Sequence, residues 1–239
     1  KIAFGNVNVP EHVVCRRYFM KPDYIALNPV TGGLDKVKTN PLGDEDKIEK
    51  RVAATDPGLS FIAVQGTDNK WISLLANYSM HYVGDWKNGT VTADYFGVFA
   101  RQIQSKLQAG SDFIGILTNG TSGDANIVDF LQPGRYPKAD FVKGELIAED
   151  LAEKLFHSLK DVEWKYNPSL SVQYKELSVL VRKPSLNELE VSKKIVAETN
   201  FENMILKESH TGNEDSFKRI YAREQILLNE YPDTILFPI

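Results

Sequence analysis

An uninterrupted apolar run, Phe113-Ile-Gly-Ile-Leu117, stops abruptly in Thr118-Asn-Gly-Thr-Ser-Gly-Asp124 and then Ala125-Asn126. Apolar residues that follow one another without alternation suit a strand covered on both faces. The loop after it offers Gly120 and Gly123, which permit backbone turns that a side chain would obstruct. Hydroxyl, amide and carboxylate groups surround these glycines. Small polar residues at the end of a buried strand are a common place for chemistry. The plain alternative for the same residues is an ordinary Asn-Gly turn.

What precedes this stretch predicts its neighbours. Leu59 to Gly66 and Trp71 to Met80 read as two strands joined by the polar turn Thr67-Asp-Asn-Lys70, at hairpin spacing. In the second strand Ile72, Leu74, Ala76, Tyr78 and Met80 share one face, and Ser73, Leu75, Asn77, Ser79 and His81 share the other. His81 therefore falls at or just past a strand end, where an imidazole is either a satisfied structural group or a metal ligand. Gly84 to Thr90 reads as a loop with an Asn88-Gly89 turn signal. Thr92 is placed to cap a helix, and Phe96, Phe99, Ala100, Ile103 and Leu107 repeat at helical spacing over Ala93 to Gln108.

Phe141 to Leu159 carries a second such stripe, through Ala148, Leu151, Ala152, Leu155 and Leu159. Leu170 to Arg182 reads as a strand with one wet face. Ser185-Leu-Asn-Glu188 is a capping-box pattern opening a helix to about Thr199. A last helix spans Glu214 to Asn229, with Gly212-Asn213 before it and Pro232 after it. Lys1 to Pro57 is rich in proline and glycine and predicts extended segments and ordered loops around Arg16-Arg17-Tyr18-Phe19-Met20. Strands alternating with helices favour a mixed α/β (α+β) architecture, a sheet sandwich flanked by helices.

Several function classes fall away. The 239 residues carry a formal net charge of −4, which offers no electrostatic case for nucleic acid. No run reaches the apolar length of a transmembrane helix. The single cysteine, Cys15, excludes an intrachain disulfide and a cysteine-based metal cluster. There is no phosphate-cradling Walker loop, no Gly-x-Ser-x-Gly elbow and no His-Glu-x-x-His pair. His157 and His210 fall on helical or linking surface. Lys1 stands where a start methionine would, and Thr234 to Ile239 resembles the opening of a further buried strand with nothing after it. Both ends thus read as cuts through a larger protein.

Three segments in order, Leu75-Ala-Asn-Tyr-Ser-Met-His-Tyr-Val-Gly84, Thr92-Ala-Asp-Tyr-Phe-Gly97 and Leu117-Thr-Asn-Gly-Thr-Ser-Gly-Asp-Ala-Asn126, resemble the catalytic domain of neutral (alkaline, non-lysosomal) ceramidases, in particular a divergent bacterial branch. Val9-Pro-Glu-His12, Arg16-Arg17, Asn40-Pro41 and Thr55-Asp-Pro57 fit the same order. The resemblance implies that residues 1–239 are part of one catalytic domain: a loop-rich entry over 1–57, a sheet and helix core over 58–183, and a helical segment over 184–239.

The resemblance also implies zinc-dependent hydrolysis of an amide bond in a small-molecule or lipid substrate of the N-acylsphingosine type, in an exported protein that works at a membrane surface. His81 matches one zinc ligand of four. The remaining ligands are expected outside this segment, in the rest of the parent polypeptide. Arg16 inherits a substrate-orienting role, and Asn119, Gly120, Ser122, Gly123 and Asp124 would line the substrate. Asn126 stands where the family has a serine, and its amide can hydrogen-bond a carbonyl but cannot act as an alkoxide. The alternatives are an exported binding or scaffold protein that keeps the fold, and a hydrolase of another amide or ester.

Overall fold

A computed structural model describes residues 1–27, 33–87, 89–199 and 214–239. The strands in chain order are β1 (Ile2–Asn8), β2 (Val14–Cys15), β3 (Arg17–Met20), β4 (Ala26–Leu27), β5 (Leu34–Asp35), β6 (Val37–Thr39), β7 (Ile48–Arg51), β8 (Gly58–Gln65), β9 (Trp71–Tyr78), β10 (Ile114–Asn119), β11 (Ala125–Asn126), β12 (Glu176–Leu180) and β13 (Thr234–Pro238). The helices are α1 (Asp94–Lys106), α2 (Val142–Ser158), α3 (Leu186–Ala197) and α4 (Glu214–Glu230). The content is mixed α+β, in several separate sheets. The expected Asn88-Gly89 turn, His210 and the Gly212-Asn213 helix start lie wholly or partly outside the described residues.

The chain divides into two compact units, residues 1–24 with 37–169 and residues 25–36 with 170–239. In the first unit the main sheet runs β1-β8-β9-β10. β8 and β9 form the expected antiparallel hairpin. β10 lies parallel to β9, which requires a crossover, and α1 supplies it. Alternation sends Leu59, Phe61, Ala63, Leu74, Ala76, Tyr78 and Leu117 to one face. There they meet Tyr95, Phe99 and Ile103 of α1 and Ile147, Leu151 and Leu155 of α2 in one continuous core. Helix α1 approaches β10 so closely that a Cβ on Gly115 would lie 3.0 Å from the Ala100 carbonyl oxygen.

The opposite face corrects one expectation. Leu117 is 7% exposed, but Ile114 and Ile116 are 59% and 42% exposed, so β10 is covered on one face only. Phe4, Ile62, Leu75 and Ile116 stand in register across all four strands on this open face, and all four are exposed. An apolar run records that a surface avoids water. It does not record whether α1 and α2 lie on one side of it or both. Ile72, expected to share the buried face of Leu74, is also exposed near the start of β9.

The entry region forms short strands, as expected: β6-β3-β7 make a three-stranded sheet, and β2 pairs with β11. Tyr18, Met20, Ile48 and Phe130 form a second small core there, with Tyr18 edge-on to Phe130 at 5.8 Å between centroids. The expected cap of α1 is shifted. Ala93 occupies the N-cap position, and Thr92 Oγ1 accepts from the Asp94 amide instead.

In the second unit β12 pairs antiparallel with β13, and β4 pairs with β5. The expected open-ended strand at Thr234 therefore has a partner, and its residues are exposed rather than buried. Its partner lies more than fifty residues earlier in the chain, beyond any local pattern. The capping box of α3 is formed in full: Glu188 N donates to Ser185 Oγ at 3.2 Å, and Ser185 N donates to Glu188 Oε2 at 2.7 Å.

Candidate functional site

The loop after β10 is tied to the strand end beside it. Gly120 N donates to the Tyr78 carbonyl at 2.9 Å. A Cβ on Gly120 would fall 2.5 Å from Ser79 Oγ and 3.1 Å from Ser79 Cα, so this position needs glycine for close approach. Gly123 has no heavy atom within 4 Å of such a Cβ and no positive φ, so only one of the two glycines has the expected steric reason. Ser79 is buried, accepts from the amide and hydroxyl of Thr121 at 3.2 Å each, and donates to Asp56 Oδ2 at 3.3 Å. Asn119 Nδ2 donates to Ser122 Oγ at 2.8 Å, which leaves the Ser122 hydroxyl proton free to donate.

The far end of the loop forms a second junction. β11 pairs with β2, placing Ala125 opposite Cys15 and Asn126 opposite Val14. Arg16 N donates to the Asp124 carbonyl at 2.9 Å, and Arg17 Nε donates to Asp124 Oδ1 at 2.6 Å on the exposed side. Asn126 Oδ1 accepts from the amides of Ile127 and Val128 at 2.8 and 3.2 Å, and Asn126 Nδ2 donates to Asn40 Oδ1 at 2.8 Å. The Asn126 amide thus holds the chain turn, with one N–H left over. The Arg16 side chain differs. Its Nε is buried and has no hydrogen-bond partner among the described residues. A buried donor left unmatched costs about 1–3 kcal/mol, so it marks a place where a ligand atom would be stabilising.

The structure therefore brings Arg16, Asp124 and Asn126 together through backbone pairing, and binds Asn119, Gly120 and Ser122 to one another or to the end of β9. His81 stands three residues beyond β9. Its Nδ1 lies 3.2 Å from the Tyr82 carbonyl oxygen, and its ring packs on Tyr82 at 4.1 Å between centroids. Donation from Nδ1 to that carbonyl leaves Nε2 as a free acceptor, the arrangement of many metal-ligating histidines. Among the described residues no hydrogen bond or ring contact joins His81 to Arg16 or Asn126, and no group of three or more His, Cys, Asp or Glu could hold a metal ion. His157 pairs with Glu153 at 2.6 Å on the surface of α2.

Two features nearby escaped the sequence reading. Asp94, the first residue of α1, has φ +53° and reaches back to accept from the amides of Val83 and Gly84 at 2.9 and 3.3 Å. It braces the segment just after His81. The second is a half-buried node around His12. Tyr136 Oη donates to His12 Nδ1 at 2.6 Å, and His12 Nε2 donates to Asp150 Oδ2 at 2.8 Å. Lys154 bridges Asp150 at 2.7 Å and Glu11 at 3.1 Å. Burial holds the imidazole below its ordinary pKa, with Arg135 and Lys154 adding to it against the pull of Asp150. The spacing of Asp150 and Lys154 on one helix face was the only local sign of this node.

Comparison with protein-family models finds no match, and no curated protein matches. Among solved structures the chain is similar to neutral ceramidase from Pseudomonas aeruginosa, with 13% identity and a TM-score of 0.41 over 75% of this chain and 25% of that one. It is likewise similar to a ceramidase complexed with C2, with 11% identity and a TM-score of 0.42 over 75% of this chain and 24% of that one. The chain spans about a quarter of the length of these structures. At such identity and score no residue role is transferred from them.

Proposed function

We propose that this chain forms part of the substrate wall of an amide hydrolase of the neutral ceramidase type, within one exported catalytic domain acting on a lipid amide. One observation carries the reading: the buried, unmatched Nε of Arg16, beside the Asp124 to Asn126 turn. Amide hydrolysis develops negative charge on the carbonyl oxygen, and a preorganised guanidinium donor stabilises that charge more than the neutral substrate. The ordered motifs around His81, Asp94 and Asn126 support the same reading.

Zinc enters the proposal through His81 alone, whose Nε2 is free while Nδ1 faces the Tyr82 carbonyl. One imidazole is not a site, because zinc needs three or four protein ligands. The described residues do not hold it by themselves. The chemistry assigned to this chain is therefore orientation and charge stabilisation by Arg16, with the loop of Asn119, Gly120, Ser122 and Gly123 beside it.

The test is hydrolysis of an N-acylsphingosine and of a panel of simpler N-acyl amides by the full-length protein. Arg16→Met should lower kcat by roughly 100-fold or more, with Arg16→Lys recovering part of it. Zinc per chain should fall on His81→Ala. Unaltered turnover in Arg16→Met would overturn the role of Arg16. A second reading, a binding protein that keeps the fold without catalysis, is favoured by the Asn126 amide, which is committed to Asn40, Ile127 and Val128 and supplies no nucleophile. Substrate binding without turnover would select it.

A further inference from the structure

Between residues 84–87, residues 127–140 and the first turn of α2 lies a cavity of about 430 Å³. That is the size of a small-molecule site, roughly 300–1,000 Å³. Its charged lining consists of Lys87, Arg135, Lys138 and Lys143 against Asp85, Asp129 and Asp140. The carboxylates are already engaged. Asp85 Oδ2 accepts from the amides of Lys143 and Gly144 at 3.0 and 3.2 Å, which caps α2. Asp129 pairs with Arg51 at 2.5 Å and accepts from the Leu131 amide at 3.1 Å. Asp140 faces Lys87 at 4.0 Å.

The remaining cations, Arg135, Lys138 and Lys143, make no ion pair among the described residues. Lys143 is half-buried, and its ammonium has neither hydrogen bond nor ion pair among the described residues. Burial holds that ammonium below the ordinary lysine range, with Asp85 and Asp94 opposing the shift. Arg135 lies with its guanidinium 5.3 Å from the Tyr136 ring centroid and makes no ion pair among the described residues. The wall carrying them is anchored, because Tyr136 is hydrogen-bonded to His12, and His12 to Asp150. Apolar surface from Trp86, Ile127 and Tyr136 completes the lining.

We propose that this cavity binds a small organic anion, a carboxylate or a phosphate on an apolar body, with Lys143 as its inner cation and Arg135 as its outer one. The charge balance favours an anion: three carboxylates are engaged by protein groups, while Arg135, Lys138 and Lys143 make no ion pair among the described residues. The apolar lining requires that the anion carry a hydrophobic part. The cavity shares no side chain with the Arg16 junction, so the two proposals stand or fall separately.

The experiment is calorimetric titration of the full-length protein with hexanoate, hexyl phosphate and inorganic phosphate at constant ionic strength. At least one of the two alkyl anions should bind more tightly than inorganic phosphate, and the preferred head group identifies the anion. Lys143→Met should weaken that binding roughly tenfold or more, and Arg135→Gln by a smaller factor, as expected for lost charge-assisted hydrogen bonds. Lys70→Met, an equal loss of charge on the turn between β8 and β9, should leave it unchanged. If Lys143→Met does not fold, Arg135→Gln measured against Lys70→Met decides. Absence of binding by all three probes, inorganic phosphate binding at least as tightly as both alkyl anions, or equal weakening in Lys70→Met, would overturn the proposal.

Discussion

His12 and Arg16 lie four residues apart, on either side of the two-residue strand β2. His12 is matched at both ring nitrogens, by Tyr136 and Asp150, and Lys154 extends the network to Glu11. Among the described residues Arg16 holds its neighbours by backbone bonds to Asp124 and Asn40, and its buried Nε is left over. Both are partly buried cationic or potentially cationic groups next to the same strand. Polarity and burial therefore do not separate a structural tie from a binding group. What separates these two is side-chain pairing: Arg51 also has a buried unmatched Nε but is tied to Asp129, whereas the Arg16 side chain has no such tie among the described residues.

That contrast predicts the largest stability effect at His12. His12→Ala strands the Tyr136 hydroxyl and one bond of Asp150 and should destabilise the fold by about 2–3 kcal/mol in urea unfolding. Tyr136→Phe removes one partner and should cost about 1 kcal/mol. A loss near zero in His12→Ala would erase the distinction.

A smaller effect is expected in the loop that joins the two junctions. Gly120→Ala drives a methyl into the backbone of Ser79 and should cost about 1–3 kcal/mol. Gly123→Ala meets open space and should change stability by less than about 0.5 kcal/mol. Thermal melting of the two variants side by side checks the difference.

The pH dependence follows from the same node. His12 is held below its ordinary value by burial, so the unfolded chain takes up the proton more readily. Its contribution is complete above about pH 6.5 and declines as pH falls below that value. Asp150 adds a second loss at lower pH. Burial works against its ionised form, yet hydrogen bonds from Lys154 and His12 hold the carboxyl below its ordinary value. That contribution is present above about pH 3.9 and is lost as pH falls through the folded value. Melting temperature should therefore fall between pH 7 and pH 5, and His12→Gln should flatten the upper part of that slope.

What the sequence made legible was local. The β8–β9 hairpin, α1, α2 and the Ser185 capping box are written in neighbouring residues, where turn chemistry and helical spacing act directly. The β9–β10 and β2–β11 pairings and the partner of β13 join distant segments, and no local pattern records them. The same holds within the site. The loop of residues 119–126 stood out by residue type and Arg16 only by the resemblance of its motif, whereas the partners of His12 lie 124 and 138 residues away. The exposed face of β10 was misread because hydrophobicity reports an avoidance of water without naming the covering element.

The unfolding free energy of Arg16→Met decides whether the Arg16 side chain, whose buried Nε has no partner among the described residues, is committed to the fold. Removing an unmatched buried donor while keeping most of the side-chain volume should leave stability within about 0.5 kcal/mol of the parent, or raise it. A loss of more than about 1.5 kcal/mol, comparable with a broken structural hydrogen bond, would make Arg16 a tie like His12 and contradict the account.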